Sequence, residues 1–123
     1  MGKFVVRTVK TGIMFNLKAG NGEVIATSEV YNSKAACLKG IASVVKNAPI
    51  AALENQTVEG FAKEKCPKFE VYTDKAGEFR FRLKATNGQI VAVSESYKAL
   101  NSCLNGVESV RKNAAENNIT YEE

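Results

Sequence analysis

The chain has 123 residues, 45% of them hydrophobic, with 17 basic and 13 acidic side chains and a net charge of +4. No stretch approaches the roughly 18 uninterrupted apolar residues of a membrane-spanning helix, and the start MGKFVVRTVK lacks the apolar region of a secretion signal, so a soluble, cytoplasmic protein is expected. Histidine is absent, which removes the commonest general base and metal ligand at neutral pH.

In chain order, Lys3 to Lys10 and Ile13 to Ala19 predict strands, the second by the period-2 alternation of Ile13, Phe15, Leu17 and Ala19 against Met14, Asn16 and Lys18. Asn21-Gly22 then predicts a hairpin turn of type I′, with both residues at positive φ, and Val24 to Thr27 a third, apolar strand that is covered on both faces or lies centrally. From SEVY onward the period becomes helical, with Cys37, Ile41, Val44 and Ala48 at i, i+4, i+7 and i+11, a cap at Ser33 or Asn32, and stop signals in Asn47 and Pro49.

The same pattern then recurs. Leu83 to Ala114 (LKATNGQIVAVSESYKALNSCLNGVESVRKNA) matches Leu17 to Ala48 without a gap, and Phe69 to Gly77 matches Phe4 to Gly12, so the chain is a tandem duplication. The second copy has the turn Asp74 to Gly77, the strand pattern Phe79, Phe81, Leu83, Ala85 against Glu78, Arg80, Arg82, Lys84, and a helix with Cys103, Val107, Val110 and Ala114, capped by Ser96.

The connector between the copies, residues 49–68, is long for structureless loop. Gln56 to Glu59 and Ile119 to Glu122 each follow a repeat helix and predict a short extra strand. One domain is expected, of two repeats at about 1–60 and 66–123 that share a core, because a unit of half this length is marginally stable alone.

The pattern FRFRLKATNGQIVAVSESY followed by CLNGVESVRKNA resembles the YegP-like family, DUF1508 or UPF0339. The resemblance covers nearly the whole chain. It implies an α+β fold in which tandem βββα(β) repeats form one pseudo-two-fold antiparallel sheet. Two helices would pack on one face, and the strand after each helix would be swapped into the other half. It also implies a monomer that is an intramolecular pseudo-dimer, and it carries no established biochemical activity. The first copy departs from the pattern where Met14 and Asn16 replace Arg80 and Arg82.

Five features could carry chemistry. Cys37 and Cys103 lie on the apolar helical stripe, where a small buried hydrophobe is the simpler account, and Cys66 beside Pro67 stands alone. Gly40 and Gly106 sit mid-helix, where glycine costs about 1 kcal/mol relative to alanine, which calls for a close approach of the helix to the sheet or its partner. Ser28-Glu29 with Tyr31, and Ser94-Glu95 with Tyr97, could bind a polar ligand but suit a strand-to-helix corner that satisfies backbone amides.

Arg80, Arg82 and Lys84, with Tyr72 on the adjoining strand, could grip and stack a nucleic acid, although Glu70 and Asp74 share that face and can pair with them. On the first copy the matching positions Val5, Val9 and Met14 could form an apolar strip for a protein partner. No metal set, phosphate loop or nucleophile with a base is legible, so neither a cofactor nor catalysis is expected. The reading is a non-catalytic binding or structural module, with a weak nucleic-acid binder as the alternative.

Overall fold

The computed structural model describes residues 2–116 and 118–122. Three antiparallel strands, β1 (Lys3–Val9), β2 (Gly12–Lys18) and β3 (Val24–Thr27), lead into helix α1 (Lys34–Asn47) and strand β4 (Ala52–Asn55). The second copy repeats the order as β5 (Lys68–Thr73), β6 (Phe79–Lys84), β7 (Ile90–Val93), α2 (Leu100–Ala114) and β8 (Ile119–Glu122). All eight strands form one sheet in the order β4-β5-β6-β7-β3-β2-β1-β8.

The strand that follows each helix pairs with the other repeat. β4 joins β5, and β8 joins β1. Both pairings are parallel, so the sheet is mixed rather than wholly antiparallel as expected: α1 carries the chain across β7, β6 and β5 and lays β4 down in the direction of β5. The two halves match pair for pair, with Phe4↔Ile119 against Phe69↔Leu53 and Leu17↔Ala26 against Leu83↔Ala92. They meet at Thr27↔Val93, which are equivalent residues, so the pseudo-two-fold passes through that pair.

Both predicted helical stripes are buried, and they enter a single cluster with Phe4, Phe15, Phe69 and Phe81. Phe4 meets Phe15 edge-on at 5.7 Å, and Phe69 meets Phe81 edge-on at 5.9 Å. Each buried phenylalanine contributes about 1.5–3 kcal/mol, and each half owns only two of the four. Residues 1–60 alone are therefore expected to show no cooperative thermal transition as a monomer; a monomeric half with a sharp transition and dispersed amide spectra would contradict the shared core.

Three local expectations differ from the structure. Ser33 caps α1, its hydroxyl accepting from the Ala36 N–H at 3.1 Å, but α2 starts from Ala99 with no side-chain cap, because Ala99 and not Ser96 holds the repeat position of Ser33. In the hairpin after β6, the Gly88 N–H donates to the Ala85 carbonyl at 2.8 Å, which centres the turn on Thr86-Asn87 rather than on Asn87-Gly88; Gly22 and Ala19 do the same at 2.9 Å. The extra strand of the connector lies at Ala52–Asn55, not at Gln56 to Glu59, because Leu53 is the repeat partner of Ile119.

Candidate functional site

Period-2 alternation puts the phenylalanines of β5 and β6 under the helices and turns Lys68, Glu70 and Tyr72, with Arg80, Arg82 and Lys84, to the uncovered face. In register, Glu54 lies opposite Glu70, and Lys68 lies opposite Lys84. Like charges directly opposed are unfavourable, but offset by one step they form a checkerboard. Lys68 Nζ reaches Glu54 Oε1 at 2.8 Å and Glu70 Oε2 at 3.1 Å, while Glu70 also takes Arg82 Nε at 2.6 Å and Lys84 Nζ at 3.3 Å.

The acids at the centre of this network are sealed from water, with side-chain exposures of 1% for Glu54 and 4% for Glu70. Burial alone would raise the Glu54 carboxyl. Hydrogen bonds from Lys68, from the Gln56 side chain and from the Glu64 N–H outweigh it and hold the group down to about 2. Glu70 is lowered in the same way, burial being overcome by Arg82 and Lys68. Lys68 is raised, chiefly by its hydrogen bond to Glu54.

Tyr72, Arg80, Arg82 and Lys84 therefore share a surface, as the sequence predicts, but the cations are engaged. Arg80 Nε donates to Asp74 Oδ2 at 2.9 Å, and the Arg82 guanidinium covers one face of the Tyr72 ring at 4.5 Å. Glu54 and Lys68, which complete the network, escape a reading of the sequence that places the connector's strand after Asn55. The signal that finds them is the alignment of Leu53 with Ile119.

The same face of the first half is built differently. Val5, expected at an exposed apolar strip with Val9 and Met14, is only 3% exposed, while Val9 and Met14 are half-buried. The reason is β8, which flanks β1 so that Val5 lies between Asn16 on one side and Thr120 on the other. Asn16, at the position of Arg82, donates to Thr27 Oγ1 at 3.0 Å.

The Ser-Glu corners are structural. Ser28 Oγ accepts from the Phe15 N–H at 2.9 Å and donates to the Glu29 carbonyl at 2.7 Å, and Ser94 repeats this with Phe81 and Glu95 at the same distances. Between these corners an open cleft of about 740 Å³ straddles the pseudo-two-fold, lined by Thr27, Glu29, Arg80, Val93, Glu95 and Ser96 among others. Cys37 and Cys103 are fully buried, and burial pushes both thiols up, Cys103 to about 11, so neither is a nucleophile near neutral pH.

A family model described as a domain of unknown function (DUF1508) matches residues 10–54 and again 74–120. The chain belongs to this family. A UPF0339 protein of Bordetella pertussis is 44% identical over 113 residues, spanning 92% of this chain and 88% of the relative. A UPF0339 protein of Treponema denticola is 59% identical over 49 residues, which are 40% of this chain but 84% of that protein. The solution NMR structure of the protein of unknown function yegP from E. coli superposes with a TM-score of 0.80 at 36% identity, covering 98% of this chain and 92% of that one. Among the described residues no helix is long and apolar enough to cross a membrane.

Proposed function

We propose that this DUF1508 protein is a non-catalytic binding module that receives a small polar ligand in the cleft at the junction of its two repeats. The observation that carries this reading is the cleft itself. At the seam, β3 and β7 pair only at Thr27↔Val93, and the space of about 740 Å³ beside that pair presents two carboxylates, Glu29 and Glu95, with Arg80. A concave site with a few converging polar groups is the usual form of a small-molecule site. Ser28 and Ser94 in its wall have both hydroxyl functions committed to backbone groups, so they support the corner rather than attack a substrate.

The test is a screen of small polar metabolites against the isotopically labelled protein, read by amide shifts. Binding should move the amides of residues 27–29 and 93–96 together, and Glu29→Gln with Glu95→Gln should weaken it. A ligand whose shifts fall elsewhere would overturn the reading. A nucleic-acid role for Tyr72, Arg80, Arg82 and Lys84 has less support, because a phosphate backbone would have to displace Asp74 and Glu70 from the arginines. On that account Arg80→Ala and Arg82→Ala should leave any salt-sensitive retention of single-stranded RNA unchanged.

A further inference from the structure

The duplication supplies an internal control, because each surface of one half has a counterpart built on the same backbone in the other. The two helices differ most in charge. α1 carries Lys34, Lys39 and Lys46 and no acidic residue, whereas α2 carries Arg111 and Lys112 against Glu108.

Two of the α1 lysines, seven residues apart and hence about 10 Å along one helical face, flank a groove of about 340 Å³ between α1 and the hairpin that joins β6 to β7. Its wall holds Lys39, Ser43 and Lys46 on the helix and Thr86 and Asn87 on the turn, with no carboxylate. Glu29 lines the adjoining hollow with Tyr31 and Gly40, a hollow that Lys39 and Ser43 also border, and is absent from the groove's own wall.

The groove is held open by fixed contacts. Asn47, 3% exposed, donates to the Ser43 carbonyl at 2.8 Å and to Ser43 Oγ at 3.1 Å, and its Oδ1 accepts from the Thr86 hydroxyl at 3.1 Å, which ties the turn to the helix. Because Ser43 Oγ is the acceptor in that contact, its proton remains to be donated into the groove. The turn closes through Gly88 N–H to Ala85 O, leaving the N–H groups of Thr86 and Asn87 outside that bond.

The counterpart beside α2 keeps the helix side of the scaffold, with Asn113 donating to the Ser109 carbonyl and Oγ, and loses the tie to the turn and one of the two cations. Ser109, Lys112 and Asn113 match Ser43, Lys46 and Asn47, but Asn105 stands for Lys39, Glu108 for Ala42 and Gly20 for Thr86. Relative to that side, the α1 groove has gained a cation, shed a carboxylate and gained a hydroxyl.

We propose that the groove between α1 and the β6–β7 turn binds a phosphate group, held by Lys39 and Lys46 with the Ser43 hydroxyl and the turn amides. Long lysine side chains can converge over Ser43 from both ends, and every polar group facing the groove is a donor or can serve as one. The site is separate from the junction cleft, so the two readings stand or fall independently.

The experiment follows amide shifts of the labelled protein on titration with inorganic phosphate and, in a second arm, with a short single-stranded oligonucleotide. Both arms use chloride at matched ionic strength as the reference. The expected result is movement of residues 39, 43, 46, 86 and 87 with no response at 105, 109, 112 and 20–21. Tighter binding of the oligonucleotide at the same amides would mean the phosphate is part of a nucleic-acid backbone, and response to phosphate alone would mean a small phosphorylated ligand.

Lys39→Asn with Ala42→Glu copies residues that the equivalent helix α2 already carries, and should weaken binding about tenfold or more, the size of one lost charge-assisted hydrogen bond. Asn105→Lys with Glu108→Ala should bring a response to residues 105 and 109. No shift in either arm, shifts spread over all surface lysines, or an unchanged affinity in the α1 variant would each overturn the site.

Discussion

Replacing Gly106 by leucine is expected to destabilise the protein by about 3 kcal/mol and to lower its melting temperature by roughly 12 °C, although leucine is the better helix former by nearly 1 kcal/mol. A Cβ at position 106 would stand 2.6 Å from the Tyr97 hydroxyl oxygen and 2.9 Å from Phe81 Cε2. Neither can retreat easily. Tyr97 stacks on Phe81 at 6.4 Å, and Phe81 is wedged edge-on against Phe69. Gly106→Ala should already be destabilising, opposite to the sign of helix propensity, and Tyr97→Phe should recover part of that loss by removing the nearest atom. Gly40 is enclosed in the same way by Tyr31 and Phe15, so one mechanism accounts for both mid-helix glycines and for the tyrosines of SEVY and SESY. Parental stability for Gly106→Leu in thermal and chemical unfolding would refute the contact.

Those glycines show what kind of information the sequence exposes. Gly40 and Gly106 are legible as a close approach because a repeated unfavourable residue implies a repeated reason, but the neighbour that fills the space, a tyrosine from the preceding corner, lies nine residues away on another element. The hairpins, the helical stripes and the central place of β3 and β7 are legible because each rests on local periodicity. β4 is misplaced by a few residues because Ala52 to Asn55 (ALEN) has little β character; its extended form is dictated by pairing with β5, a contact with the other repeat. Val5 fails for a related reason. Alternation assigns it correctly to the uncovered face, yet its burial is decided by β8, which arrives from the far end of the chain.

The candidate site was legible by residue and not by state. Tyr72, Arg80, Arg82 and Lys84 do share a face, and their partners Glu70 and Asp74 are visible beside them, but Lys68, which shares Glu70 with Arg82 and Lys84, and Glu54, which pairs with Lys68, are not. Together these four cations and three carboxylates leave a surplus of one charge where the strand alone suggests three. In the first half the corresponding positions are Lys3, Val5, Asn16, Lys18 and Thr120, so both central acids and the arginine between them changed as a set. Both lysines remain, with Lys3 exposed to solvent, whereas an acid kept at a buried position without its cations would be an uncompensated buried charge.

That reasoning makes Lys68→Met the second severe substitution, with an expected loss of about 3 kcal/mol at pH 7, the lower end of the range for breaking a buried ion pair because Arg82 and Lys84 remain partly solvated beside Glu70. Methionine fills the space of the lysine stem, so the loss is electrostatic and must depend on pH. In the parent, Glu54 titrates at about 2 when folded against an ordinary 4.5, so the stability it contributes is full above pH 4.5 and disappears as pH falls toward 2. In the variant the strongest opponent of burial is gone and only the hydrogen bonds from Gln56 and the Glu64 N–H remain, so the Glu54 carboxyl rises from its parental position and protonation relieves the buried charge as pH falls. The two stability curves should therefore converge between about pH 4.5 and 2. Adding Glu54→Gln to Lys68→Met should restore much of the loss at pH 7, because the buried charge is then gone with its partner. Chemical denaturation of the parent and both variants across that range decides the matter: a deficit that stays constant with pH would mean that Lys68 acts by packing alone and that the network of Glu54, Lys68 and Glu70 does not bear on stability as charge.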